Sequence, residues 1–334
     1  MRHIFRNHDD AQAILVILLI FLLPGCFPDI NLRDEIDAGS AGSTSEDGAA
    51  GINGPNEQGT IENPTPDPSD KTPPTIALPA GGCLDHEVPQ ASFCVGVASY
   101  GVSIRFGTNE PAKAKASTDT GSLFEESAYG TSHWIPLGPL TPATGQAISV
   151  EAADASGNAA RASLDATTDA ARPALAITEV LVDPKGPEPA QEFIEVYNFG
   201  QETVDLAGWM IDDNGDQNGD LLPAASLSSG QVGVLVPDSY DESSAEDPTP
   251  ASEALVIRVT GSLCSSGLRN DTGETVELYD PAGALVSLFP NTLGKPAEGR
   301  SAERLNPFAP DQDPFNWQWN PDGSSTPGKV PWGS

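Results

Sequence analysis

Basic residues are scarce in this chain. It has 16 Lys and Arg against 48 Asp and Glu over 334 residues, which gives a formal net charge of −32. Nucleic-acid binding depends on Lys and Arg that neutralise phosphates, and attachment to anionic lipid headgroups needs basic clusters as well. The composition therefore predicts that nucleic acid is not a partner. It mildly favours divalent cations and basic proteins as ligands.

Histidine is scarce too, since beyond the first 25 residues only His86 and His133 occur. Nucleophilic catalysis with a histidine base needs that base beside the nucleophile, and His133 is expected on the surface or on an edge strand. No CxxC or HExxH spacing that would hold zinc is present. Glu179, Glu192 and Glu195 could supply the carboxylate pair of a glycosidase, but strand-edge charges or hydrogen bonds to neighbouring loops are the favoured interpretation. We predict that the protein is not an enzyme.

Long amphipathic helical patterns are absent, and 31 Pro and 33 Gly interrupt the chain. Short β-branched runs alternate with turn residues instead, which is typical of β-sandwiches and barrels. The predicted fold class is all-β, with two Ig-like β-sandwich domains after a disordered acidic tether.

A long apolar run, Ala11–Leu23, ends in Leu23-Pro24-Gly25-Cys26. It is shorter than the about 20 residues of a membrane-spanning helix but fits the apolar core of a secretory signal. The junction resembles the bacterial lipobox, which implies a signal peptide over residues 1–25 and a lipid anchor on Cys26. An ordinary signal peptide that contains a cysteine is the alternative. The lipobox predicts a lipid-anchored protein of the bacterial envelope, at the outer membrane or cell surface.

The segment that follows, residues 26–73, is acidic and poor in apolar side chains. From residue 27 onward it contains ten Asp or Glu but only two basic residues. Such a composition cannot bury enough apolar surface to offset the entropy of ordering. We therefore predict a disordered linker between the anchor and the folded domains.

Residues 74–172 show the period-two pattern of strands. In one strand Val102, Ile104 and Phe106 alternate with Ser103, Arg105 and Gly107, which predicts one buried and one solvent-exposed face. A second pair of alternating runs flanks Asp154–Asn158 and predicts a hairpin there. Together with Pro73–Ile76 and Thr108–Ala112, this turn resembles the bacterial Ig-like and fibronectin type III-like modules. The resemblance implies a β-sandwich over residues 74–172.

Seven strand-like runs bounded by Gly, Pro, Asp or Asn occupy the next part of the chain. They cover 175–182, 193–198, 203–211, 232–236, 254–259, 275–279 and 285–288. Their number and spacing are typical of an Ig-like sandwich.

Several motifs in this part resemble the lamin-tail domain. They are Ile177–Val180, Glu192–Asn198, Val204–Trp209, Leu268–Gly283, Ser301–Arg304 and Pro327-Gly328. The resemblance implies an Ig-like β-sandwich over residues 173–334. Asp238–Glu253 departs from it as an acidic insertion, which we predict to be a mobile loop.

Three cysteines follow Cys26. Cys83 and Cys94, which are 11 positions apart, are the natural disulfide pair in an exported protein. Cys264 is then left over, either as a small buried residue or as a partner in a different pairing.

The stretch Asp212–Asp220 carries oxygen-bearing side chains at alternate positions. They are Asp212, Asn214, Asp216, Asn218 and Asp220. Calcium prefers such ligands, and the spacing is similar to the first half of an EF-hand loop. Gln217 stands where that loop has glycine, so a solvated turn is the alternative to a calcium site. No other cofactor is predicted.

The tryptophans Trp209, Trp317, Trp319 and Trp332 are expected to fill the core or to pin the C-terminal segment. Residues 315–319 are the candidate for an exposed aromatic patch. The predicted function is binding of an envelope protein or glycan, adhesion or scaffolding. An accessory subunit of an envelope hydrolase and a calcium-dependent surface binding protein are the alternatives.

Overall fold

The computed structural model describes residues 63–213, 215 and 218–332. The predicted signal peptide, Cys26 and the linker up to residue 62 lie outside these residues, as do Asn214 and Asp216. Within them the regular structure consists of β-strands and one 3-10 turn, Pro314–Asn316, so the all-β prediction is confirmed. No helix in this part of the chain is long and apolar enough to cross a membrane.

Eight strands between residues 76 and 167 form the N-terminal domain and belong to one sheet. They are β1 (Ile76–Ala77), β2 (Glu87–Gln90), β3 (Phe93–Val97), β4 (Val102–Thr118), β5 (Leu123–Glu125), β6 (Gly130–Leu137), β7 (Gly145–Ala153) and β8 (Ala159–Thr167). The 17-residue β4 joins two parts of this sheet, because its first half pairs with β3 and β6 and its second half with β7. Apolar side chains from both parts, including Phe106, Ile135 and Val150, share one core.

The β7–β8 hairpin confirms the turn predicted at Asp154–Asn158. Gly157 adopts a φ of +85° there, a conformation that costs glycine little. The Asp154 carboxylate accepts hydrogen bonds from the backbone N of Asn158 at 2.8 Å and from its Nδ2 at 2.9 Å. These contacts explain why an Asp-x-x-Gly-Asn sequence closes the hairpin.

Twelve strands form the C-terminal domain. They are β9 (Leu175–Leu181), β10 (Phe193–Asn198), β11 (Val204–Asp205), β12 (Met210–Asp212), β13 (Asp220–Leu221), β14 (Ser226–Leu227), β15 (Val232–Val236), β16 (Leu255–Arg258), β17 (Val276–Tyr279), β18 (Leu285–Phe289), β19 (Ala302–Arg304) and β20 (Trp317–Trp319). A six-stranded sheet in the order β16-β15-β10-β9-β19-β20 faces a four-stranded sheet in the order β13-β12-β17-β18. Side chains of both sheets share one core around the fully buried Trp317, which makes this domain a sandwich.

The strand predicted over residues 203–211 is wrong in its extent. The structure divides it into β11 and β12, with a turn at Gly208 where φ is +79°. β11 pairs with β14, whereas β12 pairs with β13 and β17. The period-two pattern continues through the turn, so the glycine alone marks the break. The other six predicted strands end within one residue of their expected bounds.

The solvent-exposed face predicted for β4 is also wrong. Ser103 is fully buried and Arg105 is 7% exposed, because residues 306–316 of the C-terminal domain cover them. The Arg105 guanidinium lies 4.8 Å from the centre of the Phe315 ring. On the neighbouring β6, Trp134 Nε1 donates to Asp313 Oδ2 at 2.8 Å. We call this contact between β3, β4, β6 and residues 306–316 the seam.

Aromatic and charged side chains extend the contact between the domains. The Tyr100 ring packs edge-on against Phe199 at 5.3 Å, and Phe199 packs in the same way against Phe308 at 5.6 Å. Arg172 forms an ion pair with Asp311 at 2.9 Å. All residues that the structure describes therefore belong to one compact unit.

The acidic insertion Asp238–Glu253 contains no strand, as expected of a loop, but two buried residues anchor it. The Asp247 carboxylate accepts hydrogen bonds from the backbone N of Lys185 at 3.0 Å and of Gly186 at 2.8 Å. The Tyr240 side chain is buried as well. The acidic composition thus marks a loop without showing where it is attached.

Candidate functional site

The four-stranded sheet carries a transverse row of apolar residues on its outer face. Met210 lies opposite Leu221 on one side and Tyr279 on the other, and Tyr279 lies opposite Leu285. Directly opposed residues on antiparallel strands project from the same face. Leu221 is 70% exposed and Leu285 is 42% exposed, whereas the residues next to this row in sequence, such as Leu278, are buried in the core. We call these four residues the apolar row.

We call the segment Asp212–Asp220, which connects β12 to β13, the acidic loop. It borders the apolar row, because β12 and β13 carry two residues of that row. Asp212 is buried and lies opposite Glu277 on β17. The Glu277 carboxylate comes within 3.2 Å of the position that a Cβ on Gly215 would take. Burial raises the pKa of Asp220, and the charge of Asp212 raises it further. Asp212 therefore lies close to both Glu277 and Asp220 at the root of the loop.

Glu274 and Cys264 lie beside the root of the acidic loop. Burial raises the pKa of Glu274 to about 7, with a hydrogen bond from Arg269 opposing the shift and the charge of Asp213 adding to it. Burial also raises the pKa of the Cys264 thiol far above its usual range, and neighbouring Asp213 and Asp220 contribute. The thiolate is the reactive form of cysteine, so Cys264 is a small, inert, buried residue here.

Three buried glutamates lie side by side in the six-stranded sheet. Glu195, Glu179 and Glu303 occupy matched positions on β10, β9 and β19, and each is at most 6% exposed. Burial raises the pKa of Glu179 to about 8 and raises the pKa of Glu195 well above its ordinary range. We call these three residues the glutamate ladder.

Residues 320–328 close over the glutamate ladder and supply neutral hydrogen-bond donors. Thr326 N donates to Glu179 at 2.7 Å, Gly328 N donates to Glu195 at 2.7 Å, and Asn320 Nδ2 donates to Glu303 at 2.6 Å. The interpretation of Glu179 and Glu195 as acceptors of loop hydrogen bonds is confirmed by these contacts.

Glu192, which precedes β10, also accepts a hydrogen bond from a loop. Its carboxylate accepts a hydrogen bond from the backbone N of Leu268 at 2.9 Å. Burial raises the pKa of Glu192 to about 8. The three glutamates that could have formed a glycosidase pair are thus hydrogen-bonded within the domain, Glu179 and Glu195 to residues 326–328 and Glu192 to Leu268.

His133 lies on β6, which pairs with β4 at an edge of the described sheet, but the expectation of a surface position is wrong. The residue is 2% exposed, and its ring stacks on Phe106 at 4.7 Å between centroids. Its Nδ1 lies 2.8 Å from Glu126 Oε2, and its Nε2 lies 3.0 Å from Thr108 Oγ1. Both ring nitrogens therefore have partners.

Three sets of potential metal ligands occur within the described residues, each with its ligand atoms less than 4.8 Å apart. They are Cys83, Glu87 and Cys94; His86, Glu87 and Asp313; and Asp70, Glu110 and Asp154. Cys83 and Cys94 are joined in a disulfide, so the first set does not ligate a metal. The predicted calcium ligands Asp212, Asn218 and Asp220 are not such a set by themselves, and Asn214 and Asp216 lie outside the described residues.

The aromatic patch expected at residues 315–319 is not exposed. Trp317 is fully buried, and its Nε1 donates to the Asp311 carbonyl at 3.0 Å. Phe315 lies under Arg105 in the seam. Trp209 is also part of the core, and Trp332 packs edge-on against Tyr197 at 5.9 Å. These residues fill the core or pin the C-terminal segment.

Comparison with known proteins bears on the C-terminal domain. Residues 168–291 match the Lamin Tail Domain family. The matched range includes β9 to β18, the acidic loop and the apolar row, and it supports a lamin tail domain in this part of the chain. Among curated proteins the chain has no match.

Two solved structures show a distant likeness. A DUF4876 family protein from Bacteroides thetaiotaomicron is 13% identical with a TM-score of 0.21, over 51% of this chain and 63% of that one. Chitinase ChiA74 from Bacillus thuringiensis is 15% identical with a TM-score of 0.19, over 48% of this chain and 26% of that one. The chain thus spans less than two thirds of either protein, and at these TM-scores neither likeness bears on function.

Sequence reasoning finds the acidic loop but misses the apolar row. The loop is a local pattern of oxygen donors, whereas the row joins residues from four strands and depends on their register. The sequence contains one signal of the row, at Leu221-Leu222. Adjacent residues of a strand point to opposite faces, so one of the two leucines must face outward, and it is Leu221, because Leu222 is buried.

Proposed function

We propose that this protein is a non-enzymatic lipoprotein of a bacterial envelope that binds a partner protein through the outer face of its lamin-tail region. The Leu23–Cys26 junction and the acidic linker support attachment by a lipid and display away from the membrane. Mass spectrometry of the mature protein should find Cys26 as the first residue, carrying a diacylglycerol thioether. An intact Met1 on protein from the cytosol would contradict the anchor.

The apolar row carries the binding proposal. Its two leucines are exposed on the opposite edge strands of the sheet, with half-buried Met210 and buried Tyr279 between them. Exposed apolar surface of this kind can mark an interaction site. The carboxylates of the acidic loop border the row, which matches the apolar centre and polar rim of protein interfaces. A partner with a basic rim would suit the net charge of −32.

The test is affinity capture from detergent-solubilised envelope fractions with the full-length protein as bait. The double variant Leu221→Ser/Leu285→Ser should lose the captured protein. Leu123→Ser, which alters a leucine on the N-terminal domain that is 58% exposed, should retain it. Equal capture by all three proteins contradicts binding through the row, and recovery of glycans alone points to a carbohydrate partner instead.

Calcium-dependent binding is the second candidate, because Asp212 lies opposite Glu277 and close to Asp220 at the root of the acidic loop. Calcium would fix the loop that borders the apolar row. We expect chelation to lower the melting temperature of the full-length protein, and Asp216→Ala to abolish that difference. Asp238→Ala changes an exposed aspartate outside the loop and should leave the response intact. If the melting temperature of the parent protein is the same with and without calcium, this candidate is excluded.

A further inference from the structure

A cluster of metal-ligating side chains lies in the seam, away from the lamin-tail surface. The ligand atoms of His86, Glu87 and Asp313 are all within 4.8 Å of one another. His86 and Glu87 belong to the N-terminal domain, whereas Asp313 comes from the segment of the C-terminal domain that covers it. Glu87 and Asp313 are buried, and His86 is half-buried.

Local contacts fix the position of each ligand. The disulfide between Cys83 and Cys94 holds the turn that carries His86 against β3. Leu84 N donates to Glu87 Oε2 at 2.6 Å, and Asp313 caps the 3-10 turn by accepting from Phe315 N at 3.0 Å. The cluster is thus supported from both domains, as metal sites with ordered ligands are.

Two polar atoms at this cluster are buried without a hydrogen-bond partner, namely His86 Nε2 and Ser103 Oγ. Ser103 is fully buried, and its hydroxyl lies close to the Asp313 carboxyl. A buried polar atom without a partner destabilises the folded protein. His133, by contrast, has partners for both ring nitrogens.

The backbone leaves space beside these two atoms. A Cβ on Gly96 would lie 2.6 Å from Ser103 Oγ and 3.6 Å from His86 Cδ2. Glycine at this position of β3 therefore keeps room between the serine hydroxyl and the imidazole that any other residue would fill.

We propose that His86 Nε2, Glu87, Asp313 and the Ser103 hydroxyl form a zinc site that joins the two domains. One imidazole nitrogen with carboxylate oxygens is a donor set that zinc accepts in tetrahedral geometry. Ligands of one zinc ion lie roughly 3–4 Å apart at Zn–ligand distances of about 2.0–2.2 Å. Side-chain movements of about an ångström would therefore let these four groups bind one ion.

The charges of the neighbourhood are compatible with a divalent ion. Glu87 also pairs with Arg105 at 2.6 Å, so its carboxylate would bridge the guanidinium and the metal. Asp313 contributes a second negative charge, and its Oδ2 is oriented by Trp134 Nε1. Bound zinc would be the missing partner of His86 Nε2 and Ser103 Oγ, and it would link the turn at His86 to residues 306–316.

The test is titration of the purified full-length protein with zinc chloride, followed by calorimetry, in excess calcium so that oxygen-only sites are filled. We expect one zinc ion per chain and a rise in melting temperature. His86→Ala should weaken binding by more than the roughly 10–100-fold that losing an outer-shell partner costs. Asp85→Asn, which changes the exposed carboxylate next to His86, should bind zinc as the parent does.

A second measurement needs no variant. X-ray absorption of the zinc-loaded protein should show one imidazole nitrogen and oxygen ligands in the first shell. Zinc binding that is unchanged in His86→Ala, or a first shell without imidazole, would overturn the proposal, because other carboxylates then hold the ion. If His86→Ala does not fold, as circular dichroism would show, Asp313→Asn replaces it, since the amide keeps the shape of the carboxyl group.

Discussion

Glu87 in the N-terminal domain and the glutamate ladder in the C-terminal domain are buried carboxylates that are held in different ways. In the N-terminal domain Glu87 is bound by an opposite charge, with Arg105 Nε and Nη2 each donating to it at 2.6 Å. In the C-terminal domain the glutamate ladder is held by hydroxyl, amide and backbone N–H groups, which are neutral. Burial among neutral donors raises the pKa of Glu179 and of Glu195 in the ladder. The first arrangement depends on the partner and the second depends on pH.

The largest effect is therefore expected from pH. The pKa of Glu179 and of Glu192 is about 8 in the folded protein, against an ordinary value of 4.5. Their contribution to stability is fully present below pH 4.5 and is lost as pH rises through about 8, because the unfolded chain releases these protons first. Each pKa unit is worth about 1.4 kcal/mol per group. We expect the free energy of unfolding in urea to fall by roughly several kcal/mol between pH 5 and pH 9.

Variants show which carboxyl groups cause this dependence. Glu179→Gln keeps the hydrogen-bond acceptor but cannot ionise, so it should flatten the slope of stability against pH. Glu125→Gln alters a side chain that is 63% exposed and should leave the slope unchanged. Stability that is constant or rises over this range would show that Glu179 and Glu192 are ionised in the folded state.

The second effect, in the N-terminal domain, is loss of a charge partner. Arg105→Met leaves Glu87 buried without its cation, and breaking a buried ion pair in this way costs about 3–5 kcal/mol. Arg161→Met removes an exposed pair with Glu151 and should cost about 1 kcal/mol or less. Urea unfolding at pH 7 measures both. Similar losses in the two variants would mean that the Glu87–Arg105 pair is solvated.

The difference between these two arrangements could be predicted from the sequence only in part. Period two places Val102, Ile104 and Phe106 inside, and it places six of the seven predicted C-terminal strands correctly. The same pattern assigns Ser103 and Arg105 to solvent, because alternation describes one strand and not the segment about 200 residues later that covers it. The glutamate ladder is hidden for the same reason, since residues 320–328 close over it.

A third and smaller effect concerns the hydrogen bond from Trp134 to Asp313 across the seam. Trp134→Phe keeps most of the ring but removes the N–H, and a hydrogen bond to a charged group contributes about 1.5–3 kcal/mol. Tyr100→Phe removes a bond to the neutral carbonyl of Arg172 and should cost about 1 kcal/mol. Thermal unfolding of both variants tests the order. A larger loss in Tyr100→Phe would indicate that Asp313 is protonated.

The candidate site shows the same limit of sequence reasoning. Asp212 to Asp220 stand out because their donors are close along the chain. Leu221 and Leu285 are 64 positions apart in sequence and become neighbours of one row only through Met210 and Tyr279 on the strands between them. Pairing register, which a single sequence does not encode locally, therefore decides which apolar residues face outward.

The smallest effect on stability is expected at the apolar row itself. Leu221 and Leu285 are exposed, and surface substitutions usually change stability by less than about 0.5 kcal/mol, so Leu221→Ser and Leu285→Ser should unfold as the parent does. Leu278→Ser on the same sheet should cost at least the about 2–5 kcal/mol of a buried Leu→Ala change, because Leu278 is fully buried. A loss above about 1 kcal/mol in Leu221→Ser would show that the row is covered by the chain's own residues. A neutral result, by contrast, would leave these leucines without a role in folding, as the proposed binding surface predicts.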